Sequence, residues 1–240
     1  MPYRLVKSQV ERMICMAMLI ISLPLLLICA SLVKLTSGGP VLYSQVRLGR
    51  GGRIFRVYKI RTMVHQCEAH TGPVWAVRDD PRVTPVGRFL RDTHIDEIPQ
   101  LWNVIRGEMS LIGPRPERPE IASKIAQSLP SYEGRLDVRP GLTGLAQVKL
   151  PPDSDLSTVR EKLTYDLYYI RNLGLWLDVR IAAATGLYLF GRVAKSLAEV
   201  LIRSHAARAE RGRIAEPQTL NLTITPLATH ERAEPMVKAA

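Results

Sequence analysis

The chain has 240 residues, 46% of them hydrophobic and only 6% aromatic, with a formal net charge of +11. That is enough apolar material for one domain with an attached membrane segment, or for two small units. It is too little aromatic surface for a base-stacking platform, so no nucleic-acid partner is expected. Cys15, Cys29 and Cys67 give no disulfide framework and no Cys/His metal spacing, which places the polar part in a reducing compartment.

The charge is uneven. Residues 1–61 hold ten Lys or Arg and a single acid, Glu11, whereas the remaining 23 basic residues face 21 acids. A basic excess beside an apolar segment fits anionic headgroups or phosphorylated substrates, and equally a basic surface that follows the positive-inside bias.

Met13 to Leu35 is apolar except for Lys34 and is long enough to cross a bilayer core as a helix. It is too long for the apolar region of a signal peptide. Pro24, two residues after Ser22, predicts a kink. Basic residues flank both ends: Arg4, Lys7 and Arg12 before, Lys34, Arg47, Arg50, Arg53 and Arg56 after. A bent helix that enters and leaves by the cytoplasmic face satisfies both flanks; the residues alone favour a plain span with a tolerated proline.

After the turn Thr36–Pro40, residues 41–45 and 54–60 read as two strands joined by Arg50-Gly51-Gly52-Arg53, a hairpin. Residues 64–85 read as a polar loop. A helix is predicted from Val86 to Ile98, stopping before Pro99, and a short one over Gln100–Ile105. Further helices are predicted over Glu117–Leu129, Leu156–Asn172 and Leu175–Ala198. The last is either interfacial, with Trp176, Tyr188 and Phe190 at headgroup depth, or an ordinary core helix. From about Arg203 the chain lacks periodicity and reads as a disordered tail.

The stretch Arg88 to Glu117 carries the densest chemistry. Asp96 and Glu97 are adjacent, and neighbours on a helix diverge by about 100°. The two acids therefore suit different roles, one attacking or binding, the other holding a metal or a proton; a salt-bridged surface helix is the plain alternative. Downstream, Gly113-Pro114-Arg115-Pro116 presents one arginine from a stiff turn, which suits phosphate recognition. Arg139-Pro140-Gly141-Leu142-Thr143-Gly144 is a second such loop. With Lys59 and Arg61 they form a candidate anion site.

Several collinear blocks then become specific. They are Tyr58-Lys59-Ile60-Arg61-Thr62-Met63, Asp80-Pro81-Arg82-Val83-Thr84, Gly87-Arg88-Phe89-Leu90-Arg91, and Ile95-Asp96-Glu97-Ile98-Pro99-Gln100-Leu101. They continue with Asn103-Val104, Gly107 through Pro116, Val138 through Gln147, and Tyr165 through Ile170. This series, covering the chain to about residue 192, resembles the bacterial sugar transferases, the monotopic phosphoglycosyl transferases.

The resemblance implies an α+β, mainly helical fold. A re-entrant membrane helix (1–36, broken at a Ser-Pro element, here Ser22-Leu23-Pro24) would carry a catalytic domain (37–202) with a short β-hairpin and interfacial amphipathic helices, and then a tail (203–240). It implies a bacterial inner-membrane enzyme, catalytic domain facing the cytoplasm, that moves a sugar 1-phosphate from a UDP-sugar to a polyprenyl (undecaprenyl) phosphate and releases UMP. Asp96 would be the nucleophile, forming a phosphosugar-aspartyl intermediate, and Glu97 a ligand of Mg²⁺. Lys59, Arg91, Pro114, Arg115, Pro116 and Arg139 would form the substrate-phosphate site. One element departs from the family pattern: its opening Lys-Arg-x-x-Asp reads Lys7-Ser8-Gln9-Val10-Glu11 here. Two other activities remain as alternatives, a membrane-associated glycosyltransferase that releases UDP and a non-catalytic scaffold for anionic lipid. The sequence does not name the sugar.

Overall fold

Residues 2–67, 80–151 and 156–213 are described by the computed structural model. The first element is a single 35-residue helix, α1, from Pro2 to Thr36, with Pro24 inside it. At about 1.5 Å per residue it reaches roughly 50 Å, longer than a hydrocarbon core of about 30 Å. Only 11% of its most apolar window is buried, so it is not the core helix of a globular domain. Ser22 Oγ donates to the Leu19 carbonyl at 3.1 Å, just before the proline that cannot donate.

One stripe of α1 faces protein. Glu11, Cys15, Cys29 and Val33 are buried, with Leu19 and Leu26 packed beside them, at helical spacings of three, four and seven. Most of the other large apolar side chains of α1 are exposed, among them Met13, Ile20, Ile21, Leu27 and Leu35.

Strands β1 (Leu42–Leu48) and β2 (Ile54–Ile60) form the expected hairpin, antiparallel, with Leu48 opposite Ile54 and Leu42 opposite Ile60. The turn uses Gly51 and Gly52 at positive φ, 65° and 75°, where a side chain would be strained. Phe55 and Val57 of β2 pack on Cys15 of α1 and on Leu101 and Val104 of α3 (Leu101–Ile105). Ile60 packs on Cys29 and Val33 of α1 and on Leu90 of α2 (Pro85–Thr93). The hairpin thus lies against both halves of α1.

The helix expected over Val86–Ile98 is two elements. Thr84 caps α2 by accepting from Gly87 N at 2.9 Å, with Pro85 at the first helical position. The helix stops at Thr93 because His94 turns left-handed, at φ 57°. A 3-10 segment, Ile95–Gln100, follows and contains Pro99, whose missing N–H does not support an α-helical ladder.

β3 (Ser110–Ile112) and β4 (Gly141–Thr143) pair in parallel, which their three-residue lengths hid from pattern reading. Gly113 N donates to Thr143 O at 2.9 Å and Gly141 N to Pro114 O at 2.8 Å, knitting the two Gly/Pro loops together. A Cβ at Gly113 would stand 2.6 Å from the Arg139 carbonyl, so the close approach requires glycine.

α4 (Pro119–Ser128) and a 3-10 segment at Pro130–Asp137 pack against α6 (Leu156–Arg171) through Ala122, Ile125, Tyr132, Val159 and Leu163. α5 (Leu145–Lys149) and α7 (Leu175–Arg213) follow β4 and α6 respectively. α7 continues past the expected end at Ala198; of the expected tail, residues 214–240 lie outside the described residues, as do 68–79 of the expected polar loop. The chain divides into two compact units, the first ending at Glu199.

Two polar clasps hold α1. Near its start, Lys7 Nζ donates to Asp178 Oδ2 (2.6 Å), Tyr169 OH (2.8 Å) and Ile112 O (3.0 Å). One turn on, Glu11 accepts from Ser110 Oγ at 2.6 Å. At its end, the buried Arg61 donates to Ser37 O (3.0 Å), Ser37 Oγ (2.9 Å) and the Gly38 carbonyl. A cation at a helix C-terminus satisfies carbonyls that have no helical partner and opposes the negative end of the dipole.

Candidate active site

Four elements bring the proposed chemistry together. Lys59 comes from β2, Arg91 from the last turn of α2, Asp96 and Glu97 from the 3-10 segment, and Arg115 from the loop after β3. Glu97 is the anchor. Its Oε1 accepts from Lys59 Nζ at 2.7 Å and from Arg115 Nη2 at 2.5 Å, and its Oε2 from Arg115 Nη1 at 3.3 Å. Arg91 is held by its Nε donating to Thr62 Oγ1 at 2.8 Å.

Asp96 is different. It is 6% exposed, yet among the described residues its carboxylate accepts no hydrogen bond and forms no ion pair. Burial raises its carboxyl to about 6; Lys59, Arg91 and Arg115 pull it down and Glu97 pushes it up. Burial would also raise Glu97, but Arg115 and Lys59 overcome it and hold that carboxyl well below the usual range. One acid is therefore clamped in its charged form by Arg115 and Lys59, while the other is a buried carboxylate with no hydrogen-bond partner among the described residues.

The residues nominated from sequence divide. Lys59, Arg91, Asp96, Glu97 and Arg115 share one electrostatic neighbourhood. Pro114 and Pro116 act through their carbonyls, which accept from Gly141 N at 2.8 Å and Arg47 Nη1 at 3.0 Å. Arg139 does not join the cluster. Its Nη1 donates to Ser8 Oγ on α1 at 2.6 Å, and its charged neighbours are Arg12, Arg50 and Glu11. Arg61 donates to the end of α1 and does not contact Glu97.

Residues that pattern reading missed stand behind Arg115. Arg135 Nη2 donates to the Arg115 carbonyl at 2.9 Å and to Asp166 Oδ2 at 2.7 Å, while its Nη1 donates to Tyr132 OH at 2.5 Å. The available signal was Asp166, an acid on the buried stripe that Val159 and Leu163 begin. An acid at such a position needs a buried cation.

A divalent cation is compatible with these residues. Among the described residues no group of three or more His, Cys, Asp or Glu forms a self-contained cage. Mg²⁺ commonly takes one or two carboxylates and completes its shell with substrate phosphates and water. Glu97 Oε2, engaged only by the longer 3.3 Å contact, is the oxygen suited to it, beside a second carboxylate with no partner.

The sequence pattern of the family described as "Bacterial sugar transferase" matches residues 2–192. Over 162 residues the chain is 47% identical to the UDP-N-acetylgalactosamine-undecaprenyl-phosphate N-acetylgalactosaminephosphotransferase of Aeromonas hydrophila, covering 68% of this chain and 38% of that protein. It is 44% identical over 164 residues to the UDP-glucose:undecaprenyl-phosphate glucose-1-phosphate transferase of Caulobacter vibrioides, covering 68% and 61%. It is 38% identical over 172 residues to the "Exopolysaccharide production protein PSS" of Rhizobium leguminosarum bv. phaseoli, covering 70% and 86%. The chain thus spans less than two thirds of the first two relatives.

Proposed function

Because the chain belongs to the bacterial sugar transferase family, we propose that it transfers a sugar 1-phosphate from a UDP-sugar to undecaprenyl phosphate, with Asp96 as nucleophile and release of UMP. The observation that carries this reading is the contrast between the clamped Glu97 and the unpartnered Asp96 within reach of three cations. A nucleophile needs an uncommitted lone pair; a phosphate-binding wall needs fixed positive charge.

In the first half-reaction an Asp96 carboxylate oxygen bonds to the β-phosphorus of the donor. The bond from that phosphorus to the bridging oxygen breaks, and its electron pair leaves with UMP. The sugar 1-phosphate remains on Asp96 as an acyl phosphate. A phosphate oxygen of the polyprenyl phosphate then bonds to the same phosphorus. The bond to Asp96 breaks, giving the polyprenyl diphosphate sugar and the free carboxylate. Arg91 and Arg115 bind and orient the diphosphate, since phosphoryl transfer depends on positioning and charge neutralisation. Lys59 keeps Glu97 ionised and steers it away from attack. Mg²⁺, held by Glu97, supplies charge neutralisation on the phosphate oxygens when bound.

The same reading places the protein in the bacterial inner membrane, with α1 re-entrant and the catalytic domain on the cytoplasmic side. Support comes from the two clasps. Lys7 and Arg61 tie opposite ends of α1 to one globular body. Were α1 to cross the bilayer between them, β2 and α2, with their charged side chains, would be drawn into hydrocarbon. The exposed apolar residues of α1, and Trp176, Leu187 and Phe190 of α7, would then meet lipid.

The test is incubation of the full-length protein with Mg²⁺, undecaprenyl phosphate and a panel of UDP-sugars. UMP should appear with at least one donor, and Asp96→Asn should release none. Release of UDP instead, or an Asp96→Asn variant as active as wild type, overturns the mechanism.

A further inference from the structure

Arg12, Arg50 and Arg139 do not contact Glu97, and among the described residues none of them forms an ion pair with a carboxylate. Arg139 reaches α1 and donates to Ser8 Oγ, one helical turn before Arg12. The Arg12 guanidinium lies over Gly107, where an added Cβ would meet its Nη2 at 2.5 Å. Its Nε is buried without a partner, and among the described residues no carboxylate pairs with it. Arg50 opens the hairpin turn, and its neighbour Gly49 lines a small cavity together with Val138 and Pro140, the residues on either side of Arg139, and with Arg115 of the Glu97 cluster. Burial, then repulsion from Arg12 and Arg50, lowers the Arg139 guanidinium, and Glu11 only partly offsets this. Glu11 itself is committed to Ser110, to the Ile112 amide and to Lys7.

Three guanidiniums with one shared acid, two of the three partly buried, are unfavourable unless an anion joins them. Their position narrows the anion. Ser8 and Arg12 sit on α1 immediately before its apolar run starts at Met13, the depth at which lipid phosphates lie. Arginine also matches the tetrahedral phosphate oxygens by paired N–H donors.

We infer that Arg12, Arg50 and Arg139 form a second anion site, beside the start of α1, that takes a lipid-borne phosphate. Its three arginines are not the cations that contact Glu97, and the proposal does not depend on which acid attacks. Two lipids carry this chemistry, a phospholipid headgroup (a phosphodiester) and the polyprenyl acceptor (a phosphomonoester).

The experiment uses the full-length protein in neutral detergent, titrated calorimetrically with short-chain phosphatidylglycerol, a short-chain polyprenyl phosphate and inorganic phosphate. Wild type should bind at least one of the two lipids more tightly than inorganic phosphate. The Arg12→Gln/Arg139→Gln double variant should bind that lipid at least tenfold more weakly, and Arg12→Lys should retain most of the affinity. Loss of phosphatidylglycerol binding with an unchanged acceptor KM identifies a headgroup site. Loss of polyprenyl phosphate binding, with acceptor KM raised about tenfold and donor KM unchanged, identifies an acceptor site. Affinities in the double variant within twofold of wild type for both lipids overturn the proposal, as does equal affinity for inorganic phosphate. Thermal unfolding without lipid supplies the folding control. An Arg12 that serves an absent anion leaves Tm unchanged or higher when replaced by Gln, whereas a fall beyond about 5 °C makes Arg12 structural and overturns the assignment.

Discussion

Arg115 grips Glu97 with both terminal nitrogens, at 2.5 and 3.3 Å, while its own backbone carbonyl is gripped by Arg135. The acid that neighbours Asp96 is thus held through a relay that ends at Asp166 on α6. Glu97→Gln leaves Lys59 and Arg115 without their acid. Turnover measured as UMP release should fall by about 10²–10³, the range for losing one preorganised electrostatic contact.

On the proposed mechanism, Asp96 governs the acid limb of activity. Burial raises its carboxyl to about 6, and only the ionised form attacks, so kcat/KM should fall about tenfold per pH unit below that value. Lys59 lowers this carboxyl, so Lys59→Met should move the limb to higher pH. A profile flat from pH 5 to 8 would contradict the assignment.

Stability carries the opposite sign. The folded carboxyl of Asp96 lies above its unfolded value of 3.8, so the ionised group costs stability above about pH 6 and none below the unfolded value. Asp96→Asn should therefore be inactive yet at least as stable as wild type at pH 7.5, with a gain of up to about 3 kcal/mol by the conversion of shift to energy. Thermal unfolding of both proteins at pH 7.5 and 4.5 measures this, and the difference should shrink at the lower pH.

Gly87 sits against the Thr62 backbone carbonyl with no room for a Cβ. The same Thr62 holds Arg91 through its hydroxyl. Gly87→Ala should cost about 1–3 kcal/mol by overpacking and should raise donor KM as Arg91 shifts. Denaturant unfolding and donor titration check the two effects separately.

The topology proposal is checked by labelling. A cysteine introduced at Arg4 in a Cys67→Ser background should resist a membrane-impermeant thiol reagent added from the periplasm and react after lysis. Arg61→Met removes the clasp at the end of α1, where bonds from a charged donor are each worth about 1.5–3 kcal/mol. Its Tm in detergent should fall, and partial periplasmic labelling at residue 4 would show that the clasp helps to set the topology.

The hairpin, α4 and α6 were legible because turn glycines and apolar spacing act locally. The break at His94 was not, since a left-handed residue and a 3-10 turn leave no period to read. β3 and β4 escaped because each is three residues long and their pairing joins residues some thirty apart. Asp96, Glu97, Lys59, Arg91 and Arg115 were nominated from sequence, and the structure gathers them in one electrostatic neighbourhood. That Lys59 and Arg115 both reach Glu97 was not legible, because it depends on which oxygens the cations meet. Arg139 shows the converse: a loop resembling its neighbour in sequence sends its arginine to α1.

Lys59 and Arg61 stand two residues apart at the end of β2, one holding Glu97 and the other the end of α1. Two extended residues span about 7 Å. The strand end therefore acts as a ruler. On the proposed function, the reaction plane would keep one height relative to the end of α1 in bilayers of different thickness.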